Sequence, residues 1–283
     1  MKKYFTILLL SVSTIGYAQQ RDSYDLLQEK VFPEGMEGPA IDKAGNLYAV
    51  SFGRRGTIGI VNIEQAKATL FVNLPEGSTG NGIRFGKDGM MYVADYTNHN
   101  ILKINPSTKE IAVFAHNDKM NQPNDLSISS VTGYIYLSDP DWKNNSGNLW
   151  ISRGEESITL LESNMGTTNG VEVSPDGKKL FVNESIQRQV IAYDILQDGS
   201  IANKRVIHTF SDFGMDGMRC DSKGNLYISR YGDGKIVKMS PEGVILKSYL
   251  LKGKNCTNIT LSNDEKRAYV TMQERGCFEV IDL

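Results

Sequence analysis

The stretch NGVEVSPDGKKLFVNE, beginning at Asn169, is one of six copies of a single template spread along the chain. EGPAIDKAGNLYAVSF begins at 37, NGIRFGKDGMMYVADY at 81 and NDLSISSVTGYIYLSD at 124. DGMRCDSKGNLYISRY begins at 216, and a degraded TNITLSNDEKRAYVTM at 257. Successive copies lie 44, 43, 45, 47 and 41 residues apart. The template reads as two antiparallel strands joined by a turn rich in Gly, Asp, Asn and Ser. A third strand-like run follows in every copy (IGIVNI, ILKINP, NLWISR, QVIAYDI, KIVKMS, CFEVID). A fourth follows in copies one to five (ATLFVN, IAVFAH, SITLLE, RVIHTF, VILKSYL). Four antiparallel strands in units of this length are the signature of propeller blades. The expected fold is therefore all-β: a six-bladed β-propeller of four-stranded antiparallel blades, one domain over residues 19–283.

The sixth copy ends at Leu283 after its third strand. The segment DLLQEKVF, residues 25–32, has about the length needed to supply the missing outer strand. It would zip the two ends of the chain into one blade and remove two exposed sheet edges. The same segment also reads as the start of a helical turn. Only Ser23–Lys30 and Ile63–Ala68 carry a helical period, and both are short.

The chain opens MKKYFTILLLSVSTIGYAQQ. Two lysines, an apolar run and Gly16-Tyr17-Ala18 read as a signal peptide cleaved after Ala18. The run is too short for a membrane span, which takes about 20 residues. With no cysteine near the cleavage site, no membrane anchor is expected, and the mature chain belongs to the periplasm or the medium. Cleavage removes Lys2 and Lys3, leaving 29 basic and 33 acidic residues and a net charge of −4. That balance argues against nucleic acid as a partner, and a monomer is expected. Cys220, Cys256 and Cys277 are too few for a disulfide framework. A Cys256–Cys277 bridge fits an oxidising compartment, but three buried thiols is the preferred reading.

In a propeller the first strand of each blade lines the central channel. The residues heading those strands are Glu37, Asn81, Asn124, Asn169, Asp216 and Thr257. All carry side-chain oxygen, and a small residue follows most of them, so the backbones can crowd around the axis. Asn-Gly and Asp-Gly at a strand start are ordinary turn chemistry. Turn chemistry alone explains six in register poorly, and Glu37 not at all. Two carboxylates and several amides around one cavity would repel or go unsatisfied without a cation between them. All-oxygen donors suit calcium, with magnesium, manganese and zinc as weaker alternatives. The histidines, His99, His116 and His208, fall at unrelated repeat positions and form no zinc triad; His99 lies in a loop on the face of the axial site. Other loops on that face carry Arg54, Arg55, Tyr96, Asp139, Trp142, Glu184, Arg188, Arg230, Tyr231, Glu274 and Arg275. The longest, SDPDWKNNSGN over 138–148, reads as a lid.

Four stretches carry a family resemblance over the whole mature chain: EGP at 37, QPNDL at 122 leading to YLSDPDW, NGVEVSPDGKKLFV at 169, and DGMRCDSKGNLYIS at 216. In order and spacing they resemble the gluconolactonase, regucalcin and luciferin-regenerating enzyme family of six-bladed propellers, with diisopropyl-fluorophosphatase a more distant relative. The resemblance implies that Glu37, Asn169 and Asp216 hold a divalent metal. It implies Asn124 as a fourth ligand or a substrate contact, and Asp216 as general base or nucleophile. Gln122 stands where some animal members carry an arginine, so the preferred sugar acid is left open. The expected activity is metal-dependent opening of a small sugar lactone, with Asn81, Asn124, Asp139, Glu184 and Arg230 lining the substrate. Two alternatives stand beside it: hydrolysis of an organophosphate or another small ester at the same site, and a non-enzymatic secreted binding propeller.

Overall fold

The computed structural model describes residues 21–33 and 35–283. The leader expected at 1–18 lies outside the described residues. Six four-stranded antiparallel sheets are present, and among the described residues there is no helix. The inner strands are Ala40–Ile41, Gly80–Phe85, Leu126–Ile128, Thr168–Val173, Met218–Cys220 and Cys256–Leu261. Each contacts the next, and the last contacts the first, so the ring is closed. Ile63–Ala68, helical in period, is instead a tight turn running into the outer strand Lys67–Asn73.

The ends of the chain do meet in the sixth blade, but through other residues than expected. Ser23–Asp25 pairs antiparallel with the final strand Cys277–Asp282, with Tyr24 opposite Val280. Residues 26–32 leave the strand because their apolar side chains are needed inside. Leu27 and Phe32 are buried, and the Phe32 ring packs edge-on against Phe52 at 5.5 Å and Phe278 at 6.0 Å. A regular strand would have turned alternate residues to solvent. The junction is clasped by Arg275, which pairs with Asp25 at 2.8 Å, Glu29 at 2.8 Å and the fully buried Glu279. All three cysteines are free thiols, two buried and Cys220 partly so.

Second strands such as Met91–Asp95 and Leu226–Arg230 are buried on both faces, because each blade is covered by a neighbour on either side. The core is the sum of these blade-to-blade contacts. Tyr48, Val50 and Ile58 of the first blade meet Ile83, Met91 and Val93 of the second. The turns on the face opposite the inner-strand heads are held by local acids. Asp42 accepts the Asn46 N–H at 2.9 Å and the Tyr48 hydroxyl at 3.0 Å, and Gly45 takes φ +88° in the same turn.

At the axis the residue after each head decides how closely the blades approach. Four of the six are glycines: Gly38, Gly82, Gly170 and Gly217. The other two, Asp125 and Asn258, send buried side chains into the space those glycines leave. A Cβ on Gly82 would stand 2.6 Å from Asp125 Oδ1, and one on Gly217 1.9 Å from Asn258 Cγ. The channel is thereby plugged below the heads. Gly217→Ala is expected to lower unfolding stability by about 1–3 kcal/mol through this overpacking. Gly154→Ala, where no atom lies within 4 Å, should stay within about 0.5 kcal/mol of the parent. Urea denaturation of both variants checks the pair.

Candidate functional site

Above the plug the heads open into a cavity of about 310 Å³. Glu37, Asn81, Asn124, Asn169, Asp216 and Thr257 all line it, so the structure brings the six register positions to one place. Ser51, Arg55, Thr79, Tyr96, Thr97, Trp142 and Gln273 complete most of the wall.

The orientation of Asn169 follows from its neighbours. The Ser185 hydroxyl donates to the Met215 carbonyl, so its oxygen accepts from Asn169 Nδ2 at 3.1 Å. That fixes the amide with Oδ1 turned away from Ser185, where it is buried and has no hydrogen-bond partner. An orphaned buried acceptor costs about 1–3 kcal/mol unless something satisfies it. Asn81 Nδ2 donates to the Asn124 carbonyl at 3.0 Å, and Glu37 Oε2 accepts the Gly38 N–H at 2.9 Å.

Both axial carboxylates are held above their ordinary proton affinity. Burial pushes Glu37 up to about 7 against the pull of the Gly38 N–H, and the Asp125 charge adds to the rise. Burial, then the facing Glu37 charge, holds Asp216 well above the usual carboxylate range. Below them Arg84 pairs with Asp125 at 3.0 Å and Glu172 at 3.2 Å, and Arg219 lies 3.7 Å from Asp125. When ionised, the four carboxylates Glu37, Asp125, Glu172 and Asp216 exceed the two guanidiniums by two negative charges. Among the described residues no group of three or more His, Cys, Asp or Glu side chains is placed to hold a metal ion by itself. A cation here would draw on amides as well as carboxylates.

Three residues expected at the substrate do not line the cavity and are engaged behind it instead. Asp139 is fully buried, accepting the Asn121 and Gln122 N–H groups at 2.8 and 2.6 Å and the Trp150 indole at 2.8 Å. Glu184 accepts the Gly166 N–H at 2.8 Å. Arg230 donates to the Asp212 carbonyl at 2.6 Å and stacks over Phe210. Asp95, which sequence reasoning passed over, holds Ser78 and Thr79 in the same way. In each of these blades a buried charge on the second strand straps the segment that enters the inner strand. The register signal was sound, but the role it marks is support of the heads. His99 also lies outside the cavity wall, while Arg55 and Tyr96 line it.

The expected lid at 138–148 is a two-stranded arm, Ile135–Asp141 paired with Ser146–Gly154, with Trp142 at its turn. Gln273 was missed because its neighbours Glu274 and Arg275 carry the charge that draws attention; its amide accepts the Tyr231 hydroxyl at 2.9 Å. Thr79 and Thr97 gave no signal beyond being polar loop residues.

Residues 36–274 match the family described as SMP-30/Gluconolactonase/LRE-like region. A gluconolactonase of Zymomonas mobilis subsp. mobilis is 29% identical over 190 residues, 59% of this chain and 52% of that protein. The chain thus spans about half the length of that relative. Lactonase drp35 of Staphylococcus saprophyticus is 28% identical over 242 residues, 78% of this chain and 71% of that protein. The solved structure of regucalcin from Agrobacterium tumefaciens, described as a calcium-binding protein, superposes with a TM-score of 0.78 at 19% identity. That superposition covers 92% of this chain and 93% of the other, a likeness of fold. With its six blades and the family match running from the first axial head past the last, the chain belongs to the SMP-30/gluconolactonase/LRE-like family.

Proposed function

We propose that the protein is a metal-dependent hydrolase that opens a small hydroxylated lactone in the axial cavity. The observation that carries this reading is the orphaned Asn169 Oδ1 beside two carboxylates that face each other. The donor set fits a hard divalent cation: Glu37, Asn169 and Asp216 would hold it, with Asn124 as a fourth oxygen, and calcium matches best. Magnesium, manganese and zinc match less well. The calcium binding ascribed to the Agrobacterium relative and the lactonase names of the curated relatives support the same reading. Delivery to the periplasm or the medium by the leader read at 1–18 would be consistent with it.

A bound divalent cation would supply Lewis acidity at the lactone carbonyl oxygen. The chain's own residues do the rest. Asn81 and Asn124 offer amide groups to ring hydroxyls. Asp216, whose proton affinity is already raised, takes the proton of the attacking water as hydroxyl adds to the acyl carbon. It returns that proton to the ring oxygen as the ester C–O bond breaks, giving a hydroxy acid. Ser185 and Asp139 act at one remove, fixing the Asn169 amide and the segment before Asn124.

Proton release across a panel of aldonolactones and aryl phosphotriesters tests the reading. Turnover of lactones should vanish with EDTA and return with calcium, and Asp216→Asn should lower kcat/KM by about 10²–10⁴-fold with an unchanged circular dichroism spectrum. EDTA-insensitive turnover, or an Asp216→Asn variant near wild-type rate, would overturn it.

Without a cation the same carboxylates make stability depend on pH. Glu37 holds its proton to about pH 7 when folded, against an ordinary value of 4.5. The folded state therefore carries the extra proton between those values, and stability falls as pH rises through that window. Thermal denaturation in chelator should show a lower Tm at pH 7.5 than at pH 5. Glu37→Gln should flatten the slope; an unchanged slope would exclude Glu37 as its source.

A further inference from the structure

Beside the axial cavity lies a second hollow of about 520 Å³ that shares Trp142, Asn169, Asp216 and Gln273 with it. The two therefore meet at the proposed reaction centre. The second hollow differs in chemistry: Ile186, Phe213, Met215 and Tyr231 contribute to its walls. Ile186 and Phe213 are 48% and 49% exposed, and Trp142 is 39% exposed. Single apolar residues on a surface need no account, but three large ones around one concavity next to a polar site do.

Phe213 is the most informative of them. Its backbone has φ +40°, a conformation that bulky side chains avoid. Arg230 keeps it there by donating to the Asp212 carbonyl and Oδ1 at 2.6 and 2.9 Å. The ring lies near the bare Gly232, whose Cβ, if present, would come within 3.1 Å of Phe213 Cδ1. Phe213 as a residue nevertheless stays half exposed, so the strain does not serve burial in the core. Strain of this kind collects where a side chain must be presented. Arg188, also on this wall, donates to the Ser211 carbonyl at 2.9 Å.

We infer that this hollow is a subsite for an apolar substituent, alkyl or aryl, carried by the lactone. The ring would sit in the polar cavity, the ester carbonyl at the shared Asn169–Asp216 wall, and the substituent among Ile186, Phe213 and Trp142. The placement of the ring rests on the lactone reading above, whereas the subsite rests on the hollow itself. The substrate class is then lactones with a hydrocarbon branch as well as hydroxylated ones.

Two measurements on the purified protein separate these layers. The first is tryptophan emission during titration with cyclopentanone and 2-hexylcyclopentanone, ketones that keep the carbonyl and cannot be hydrolysed. The second is proton release from δ-valerolactone and from δ-undecalactone, which adds a hexyl branch. The hexyl ketone should bind about tenfold or more tighter than its parent, and kcat/KM should favour δ-undecalactone by a similar factor. The double variant Phe213→Ser with Ile186→Ser should lose most of both advantages. If it fails to fold, Ile186→Ser alone, at an exposed loop position, makes the same comparison. Equal binding of the two ketones, or a hexyl advantage untouched by the substitutions, overturns the subsite. A hexyl preference in binding with no lactone opened upholds the subsite and removes the lactonase reading. Lactones opened with no preference in either measurement does the reverse.

Discussion

The Gly82 N–H reaches the Asn124 carbonyl at 2.8 Å, the Gly170 N–H the Asp216 carbonyl at 3.1 Å, and the Gly217 N–H the Thr257 carbonyl at 2.6 Å. The Thr257 hydroxyl carries the series on to the Met36 carbonyl at 2.9 Å. These bonds run from one blade to the next, around the axis, where sheet ladders cannot reach. They require backbones closer than any Cβ allows, which is why glycine follows the head in four blades. Each of the three glycine bonds also takes up a head residue's carbonyl and leaves that head's side chain free of it. Packing of the ring and presentation of the site are thus the same event.

That closeness creates an electrostatic problem that the channel answers in layers. Alternation along the inner strands brings Arg84, Glu172 and Arg219 to the axis two residues beyond Gly82, Gly170 and Gly217. The guanidiniums compensate Asp125 and Glu172, and Arg219 also donates to the Pro39 carbonyl at 3.0 Å. Burial and the neighbouring Arg84 lower the Arg219 guanidinium to about 10, still protonated at neutral pH. Among the described residues no guanidinium forms an ion pair with Glu37 or Asp216, and the Arg219 charge pulls on Glu37 only weakly. A buried charge left unpaired is expensive, and this imbalance points upward into the cavity.

Much of this was legible in the sequence because a repeat converts sequence position into spatial position. The heads Glu37, Asn81, Asn124, Asn169, Asp216 and Thr257 were found by register alone. The layer of Arg84, Glu172 and Arg219 was available by the same alternation and was passed over. Register marks where a backbone goes and not which way a side chain is turned. That is why Asp139, Glu184 and Arg230 read as pocket residues when they strap the entering loops. The closing strand was displaced to Ser23–Asp25 because burial of Leu27 and Phe32 overrode strand length. Ile186 and Phe213 lie between template copies, where no register applies, and apolar loop residues carry no signal until the fold gathers them.

Glu37 and Asp216 stand 179 residues apart in the chain, and each lies on the inner strand side of a different blade. Bringing them together is among the longest-range contacts the fold contains, and such contacts form late because the intervening loop must be closed first. The pair meets only once the ring is complete, with Ser23–Asp25 laid against the last strand. A chain stalled as an open arc would not bring the two carboxylates face to face. Any ion that prefers the pair binds the finished ring alone, and occupancy becomes a readout of completed folding.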